Sequence, residues 1–275
     1  MRDQDIHFNY IITIHNKEYL IGDVMLGVIN SAGKNSHIYP VLDGCTDHSE
    51  DIIDEVIQYY PDVKITKLYA TDVHELKTIN IGLNYASQQG EGYNIILQDD
   101  VLLLDADLER KCINLYKQFE QLGIVSFRHG GNISRHLLYE EHSLNPLQDY
   151  IQTACGHFPD PEYHMPLGSF TFREAVIKSP VCIPFKIIRE LGTPDEKYAP
   201  WDDIAYAFTV SSAGYANGVY AINFQSDVNW GTTRNTIQQF EIEQVQSKNL
   251  ALFRELHPNI SSLDVNKYNN KVFLI

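Results

Sequence analysis

The sequence predicts an α/β fold, with a mostly parallel central sheet flanked by helices and a mixed C-terminal half. Three observations predict it. Apolar strand-like runs alternate with helical patterns through residue 127. Polar and acidic residues gather where several of those strands end. After residue 128 the alternation gives way to a long stretch rich in His, Gly, Asn and Pro. Strands and helices alternating at this spacing build parallel sheets covered on both faces.

The elements follow in order. Residues 8–14, FNYIITI, read as a buried strand. Residues 18–32 carry Leu20, Ile21, Val24, Met25, Val28 and Ile29 at helical spacing. Residues 37–42, HIYPVL, are a strand, with Pro40 expected to make it exposed or irregular there. Asp47-His48-Ser49 caps a helix through Ile52, Ile53, Val56 and Ile57. Residues 63–69 alternate as a strand, 72–89 are helical, and 93–98 are strand again. Asp105 or Asp107 opens a helix to about residue 122, and 123–127 is a fifth strand. Beyond it, 128–168 reads as loop with short elements, a length usually reserved for function. Strand is expected at 169–178 and 218–224, helix at 185–191, at 202–213 and from 236. No internal repeat and no linker appears, so a single domain over 1–275 is expected. Its parts are a nucleotide-binding half (1–127), an acceptor-binding and catalytic half (128–235), and a C-terminal helix and tail (236–275).

Composition excludes several classes. The 275 residues suffice to bury a substantial core, and 44% hydrophobic with 21% charged residues is globular. The net charge of −15 argues against a nucleic-acid partner, which needs clustered Lys and Arg. A phosphate-bearing small molecule is compatible with it if a metal cation or a local basic pocket offsets the field. No window of about 18 apolar residues exists, so no membrane span is expected. The opening MRDQDIHFNY lacks the apolar core of a signal peptide, so a cytoplasmic location is expected. Cys45, Cys112, Cys155 and Cys182 form no CxxC pair and read as reduced, mostly buried thiols.

In open sheets of this class ligands bind beyond the carboxyl ends of the strands. Thr13, His15 and Asn16 follow the first strand, Asp43 ends the second, and Gln98, Asp99 and Asp100 follow the fourth. In this order the motifs resemble nucleotide-sugar glycosyltransferases of the GT-A fold, closest to glycosyltransferase family 2. The family's PTYN-like turn appears as Ile12-Thr13-Ile14-His15-Asn16. Its DDGSTD appears as Leu42-Asp43-Gly44-Cys45-Thr46-Asp47. Its ARNxGLxxA segment runs from Thr78 to Ala86, its metal-binding DxD is Gln98-Asp99-Asp100, and its downstream acidic segment carries Asp195-Glu196, Asp202-Asp203 and Gly214-Tyr215. The resemblance covers roughly residues 8–104 and 178–220.

The resemblance implies an inverting transfer from a nucleoside-diphosphate sugar, with a divalent cation, Mn2+ or Mg2+, as cofactor. The acceptor is a hydroxyl of a glycan or lipid-linked molecule, as in polysaccharide biosynthesis. Asp100 is implied as metal ligand, with Gln98 offering a carbonyl oxygen where the family has its first acid. Asp99 is implied at the ribose or the metal, and Asp43 at the nucleoside, with Leu42 replacing a usual acid. Thr13 and Asn16 line the nucleotide pocket by the same implication, and Lys77 contacts the diphosphate by position. Asp203 resembles the catalytic base, with Asp202 beside it; such a base removes the acceptor's proton during attack.

Other residues are weighed more plainly. His129, His136, His142, His157 and His164 lack zinc-site spacing and read as loop residues. Arg234 either covers the diphosphate from a C-terminal loop or lies in a surface turn. Trp230 either stacks on a sugar or fills the core. Two alternatives remain: a sugar nucleotidyltransferase, which wants a Gly-rich basic loop where Ile14-His15-Asn16-Lys17 stands, and a glycan- or nucleotide-binding module whose catalytic site has decayed. Donor sugar, base, acceptor and oligomeric state are not written in these motifs.

Overall fold

The computed structural model describes residues 6–140, 147–153, 164–199, 201–231, 239–256 and 271–275. In chain order the first elements are β1 (His7–Ile14), α1 (Ile21–Ser31), β2 (Ser36–Asp43), α2 (Ser49–Tyr59), β3 (Leu68–Ala70), α3 (Glu75–Tyr85), β4 (Gly92–Gln98), β5 (Leu102–Leu103), α4 (Leu108–Gln118) and β6 (Leu122–Ser126). There follow β7 (His129–Ile133), α5 (Arg135–Leu138), β8 (Leu147–Thr153), β9 (His164–Met165), β10 (Ser169–Phe172), β11 (Ala175–Val176), β12 (Val181–Pro184) and α6 (Phe185–Leu191). The last are α7 (Asp202–Ser212), β13 (Ala216–Tyr220), β14 (Phe224–Gln225), α8 (Gln239–Leu256) and β15 (Phe273–Leu274).

The chain forms two compact units. The first comprises Met1–Glu120, Lys178–Thr193 and Ile222–Ser226 within the described residues. Its sheet runs in the order β12-β4-β1-β2-β3. Strands β1 to β4 pair in parallel, and β12 runs antiparallel against β4. Alternation along β1 assigns the two faces, because successive side chains point opposite ways. Tyr10 OH donates to Ser31 O of α1 and to Glu109 of α4, whereas Ile11 meets Gly82 of α3. Gly82 is what lets α3 lie so close: a Cβ there would stand 2.4 Å from the Ile11 side chain. Ile21, Val24, Met25 and Val28 bury the inner face of α1; Leu108, Cys112 and Leu115 do so for α4.

The second unit comprises Gln121–Ile177, Pro194–Ala221 and Asp227–Ile275 within the described residues. Here β6 pairs in parallel with β13, and β10 pairs antiparallel with both β13 and β15. A second sheet runs β11-β7-β8-β9. Helices α7 and α8 close one core with Ile133, Leu138, Tyr198, Trp201, Phe208, Leu250 and Phe253.

Several sequence expectations need correction. Pro40 is buried inside an unbroken β2. Ile38 donates to Lys64 O and accepts from Thr66 N–H, so two residues on, the missing N–H of Pro40 faces the same side. It falls between that bridge and the first β3 pair, Val41–Leu68, and the ladder to the neighbouring strand is interrupted there. The strand expected at 63–69 shortens to β3, which begins at Leu68. Strand β12 was not expected; its four apolar residues lie between Pro180 and the start of α6, too short to show a period. The stretch 128–168 contains β7, α5, β8 and β9. Cys45, Cys112 and Cys182 are free thiols, as expected, and Cys155 lies outside the described residues. Among the described residues no helix is long and apolar enough to cross a membrane.

Candidate active site

In the first unit the register brings three strand ends level. Thr13 lies opposite Val41 on one side and Gln98 on the other. The residues just beyond therefore leave the sheet at one edge, and hydrogen bonds join them. His15 N–H donates to Asp99 Oδ2 (2.8 Å) and its ring Nδ1 lies 2.6 Å from Asp43 O. A carbonyl only accepts, so Nδ1 carries the proton, and Nε2 accepts from Asn16 Nδ2 at 3.3 Å. Asn16 has φ +49°, a left-handed conformation that Asn tolerates, and its Oδ1 accepts from Thr46 N–H at 2.7 Å.

Asp43 is 5% exposed, and its Oδ1 accepts the Val73 N–H at 2.8 Å, which fastens the β3–α3 loop. Gly44 follows with φ +59°, and a Cβ there would come within 2.8 Å of Asp72. Gln98 donates its N–H to Ser179 Oγ at 2.8 Å. Asp99 and Asp100 are both buried. Burial pushes the Asp99 carboxyl up to about 6, against the pull of the Lys17 cation and the His15 N–H. Lys17 Nζ stands 3.3 Å from Asp99 Oδ1 and is itself buried.

The structure thus brings together Thr13, Asn16, Asp43, Gln98, Asp99 and Asp100. Lys77 is exposed on α3, while Leu76, Thr78 and Ile79 beside it are buried. His15, already placed at the first strand's end, and Lys17, which no motif singled out, join the strand ends. Arg234, His142 and His157 lie outside the described residues, and Trp230 is half-buried in a short 3-10 turn.

In the second unit Asp202 and Asp203 open α7. Asp202 is 2% exposed, Asp203 is half-buried, and Asp203 Oδ1 accepts the Ile204 N–H at 2.8 Å. Two features hold the helix, one at its start and one in its C-terminal half. Trp201, just before it, is buried in the core cluster. Asn217 of β13 donates to Ala207 O (2.8 Å) and Ser211 Oγ (3.0 Å) of α7, while its Oδ1 accepts the Ile124 N–H of β6 (3.0 Å). Near Asp203 the structure adds Arg128 and Tyr150, which the sequence did not single out. Burial pushes the Tyr150 phenol up to about 12; the Arg128 cation opposes that and the Asp203 charge adds to it. His129 packs on Tyr150, ring centroids 5.3 Å apart.

Residues 10–177 match the family described as glycosyl transferase family 2, more than half of the chain. The chain belongs to glycosyl transferase family 2. The matched range contains the three strand ends and stops before Asp202 and Asp203. This family 2 chain is a glycosyltransferase with an α/β fold of the GT-A type. Its fold resembles the mannosyltransferase PcManGT from Pyrobaculum calidifontis, in complex with GDP-Man and Mn2+, at 12% identity and TM-score 0.55 over 94% of this chain and 77% of that one. It also resembles S. aureus TarS 1–349 in complex with UDP, at 13% identity and TM-score 0.54 over 92% and 72%. GalNAc-T7 with UDP, GalNAc and Mn2+ matches at 10% identity and TM-score 0.58, over 81% of this chain and 43% of that one. At these identities the likeness concerns the fold. No curated protein matches the family 2 chain in sequence.

Proposed function

We propose that the protein is a metal-dependent, inverting glycosyltransferase that moves a sugar from a nucleoside diphosphate to a hydroxyl of a glycan or lipid-linked acceptor. The observation that carries this reading is the joining of three strand ends through His15, which presents Asp43, Asp99 and Asp100 at one edge of a parallel sheet. Neighbours of the same fold were captured with nucleotides, a sugar nucleotide and Mn2+, which supports it.

The donor set suits a hard divalent cation. Asp99 and Asp100 offer carboxylate oxygens and Gln98 a carbonyl oxygen, and among the described residues no group of three or more His, Cys, Asp or Glu forms a closed cage. Mg2+-like ions commonly take one or two carboxylates and complete their shell with substrate phosphates and water. A cation bound there supplies positive charge to the departing diphosphate.

This chain's own residues supply the rest. Asp43 and Thr13 orient the nucleoside, with Asn16 and His15 fixing the turn that frames it. Asp203 accepts the acceptor hydroxyl's proton as that oxygen bonds the anomeric carbon. The carbon–diphosphate bond breaks, and the nucleoside diphosphate leaves with the electron pair. Asp202 and the Trp201 anchor hold Asp203 at the helix start. General base catalysis typically contributes about 10²–10⁴-fold. Asp203→Asn is therefore expected to lose transfer by that factor, while the thermal shift given by a nucleoside diphosphate with Mn2+ stays at the unsubstituted protein's value. Retained transfer would reject Asp203 as base. No shift from any nucleoside diphosphate would reject the donor class.

A further inference from the structure

A cavity of about 510 Å³ opens where β4 begins. It lies between the start of β4, the C-terminal turn of α4 and the corner from β12 into α6, all within the first unit. Asp99 and Asp100 follow the other end of β4. The 7 residues of that strand, at about 3.3 Å each, put roughly 20 Å between the two ends. The cavity is therefore clear of the strand-end site. Its volume falls in the range that small organic molecules fill.

One wall is aromatic. Tyr93 rests against Phe8 (ring centroids 5.1 Å apart) and Tyr116 (4.7 Å), and the Tyr116 hydroxyl donates to Cys182 O at 3.2 Å. Tyr93 is half-buried, and its hydroxyl makes no hydrogen bond among the described residues. Burial raises the pKa of that phenol, so it keeps a proton to donate.

The rim is charged. It carries Lys117, Lys186 and Arg189 with Glu91 and Glu120, three cations to two anions in a chain of net charge −15. Arg189 is fixed by backbone: its Nη1 donates to Gln88 O and to Gly90 O in the α3–β4 loop. Among the described residues its guanidinium meets no carboxylate. Its Nε–Nη2 edge keeps the two parallel donors that a phosphate takes at once. Lys186 is steadied in the same way, donating to Glu120 O at 3.1 Å. Bare phosphate would leave the aromatic wall and most of the volume unused.

We propose that this cavity is a second ligand site, for a phosphate monoester of a ring compound. The phosphate takes the Arg189 fork between the two lysines, and the ring lies along the tyrosine wall, where Tyr93 donates to it. Sugar phosphates and nucleoside monophosphates share this chemistry. None of these residues belongs to the strand-end site, so the cavity stands or falls apart from the transferase reading.

The test is isothermal titration calorimetry of the full chain, without metal, against ribose 5-phosphate and UMP. At least one is expected to bind at about 0.1–1 mM. Ribose, uridine and inorganic phosphate should each bind at least about tenfold more weakly. Arg189→Ala should cost about tenfold or more, and Tyr93→Phe about fivefold. Arg189→Lys, which keeps the charge and loses the fork, should fall between. Should Arg189→Ala fail to fold, charge reversal at the exposed Lys117, Lys117→Glu, carries the comparison. A loss confined to ribose 5-phosphate makes a sugar phosphate the occupant; one confined to UMP makes it a nucleotide. The thermal shift given by UDP with Mn2+ should stay unchanged in each variant, and its absence from the unsubstituted protein would count against the donor site alone. The cavity is overturned as a site if neither ester gives saturable heat up to about 10 mM, or if Arg189→Ala and Lys117→Glu bind both esters as the unsubstituted protein does. Inorganic phosphate or uridine binding as tightly as the esters overturns it too.

Discussion

Asn16 shows how much one residue at a strand end settles. Its left-handed φ of +49° turns the chain off β1, its Oδ1 holds Thr46 N–H, and its amide donates to His15 Nε2. Ala at this position loses the side-chain bonds to Thr46 and His15 and carries a Cβ in a conformation that disfavours one. Asn16→Ala should therefore lower the unfolding free energy by roughly 2–3 kcal/mol in urea. Asn16→Gly, free of the steric penalty, should recover about 1 kcal/mol of that. A Gly variant no more stable than the Ala variant would show that backbone conformation contributes little here. At this scale the sequence was readable where a motif named a residue, as with Asp43, Asp99 and Asp100. It says less where only position is available. Lys77 is placed at the diphosphate by position only, and it is exposed on α3. Lys17, one residue past Asn16, points inward because the turn carries its ammonium to Asp99.

The elements of the first unit are tied together by a half-buried carboxylate whose cost depends on pH. Glu109 of α4 accepts from Gly33 N–H (2.8 Å), Ser36 Oγ (2.5 Å) and Tyr10 OH (3.1 Å), which links α4 to β1 and to the α1–β2 turn. Burial raises its carboxyl above the ordinary value of 4.5, even though the Ser36, Gly33 and Tyr10 donors pull the other way. A raised carboxyl pKa means that the folded state keeps a proton the unfolded chain has released. This contribution to stability is complete below about pH 4.5 and is lost as the pH rises through the folded value, with a slope of at most about 1.4 kcal/mol per pH unit. Glu109→Gln has no such proton. Its stability relative to the unsubstituted protein should climb as the pH rises above about 4.5 and level off beyond the folded value in urea melts; a flat or falling difference would show that the three donors outweigh burial. Elements were legible where their period was long enough to count. β1, α1, β4, α6 and α7 lie within a few residues of expectation because each carries a full apolar pattern. β12 and the pieces of β7–β9 are too short for a period, and long-range pairing, which no local pattern records, makes them strands. Pro40 is buried rather than exposed, and the irregularity expected of it shows as a break in the pairing between the Ile38–Ile65 bridge and Val41–Leu68.

At the scale of the whole molecule, the fold class was legible because alternating strands and helices leave a parallel sheet as the natural way to bury both faces. The division into units was less so. Segments 178–193 and 222–226 return to the first unit, so its sheet is assembled from distant stretches and no linker marks the change. The property that composition does set for the whole chain is its field. A net charge of −15 opposes the approach of any anionic donor. The Lys17 cation at the strand ends faces Asp99 and projects little of its charge outward. Screening should therefore help association. The Debye length falls from about 30 Å at 0.01 M salt to about 8 Å at 0.15 M, short enough to hide most of the distant surface charge from an entering nucleotide. Without a divalent cation, the association rate of a fluorescent nucleoside diphosphate, followed by stopped flow, should rise several-fold between those two conditions. Saturating Mg2+ neutralises part of the ligand's charge and should flatten the dependence. A rate that falls with salt would mean that a local positive potential dominates the approach, and the cations responsible would then have to be sought outside Lys17.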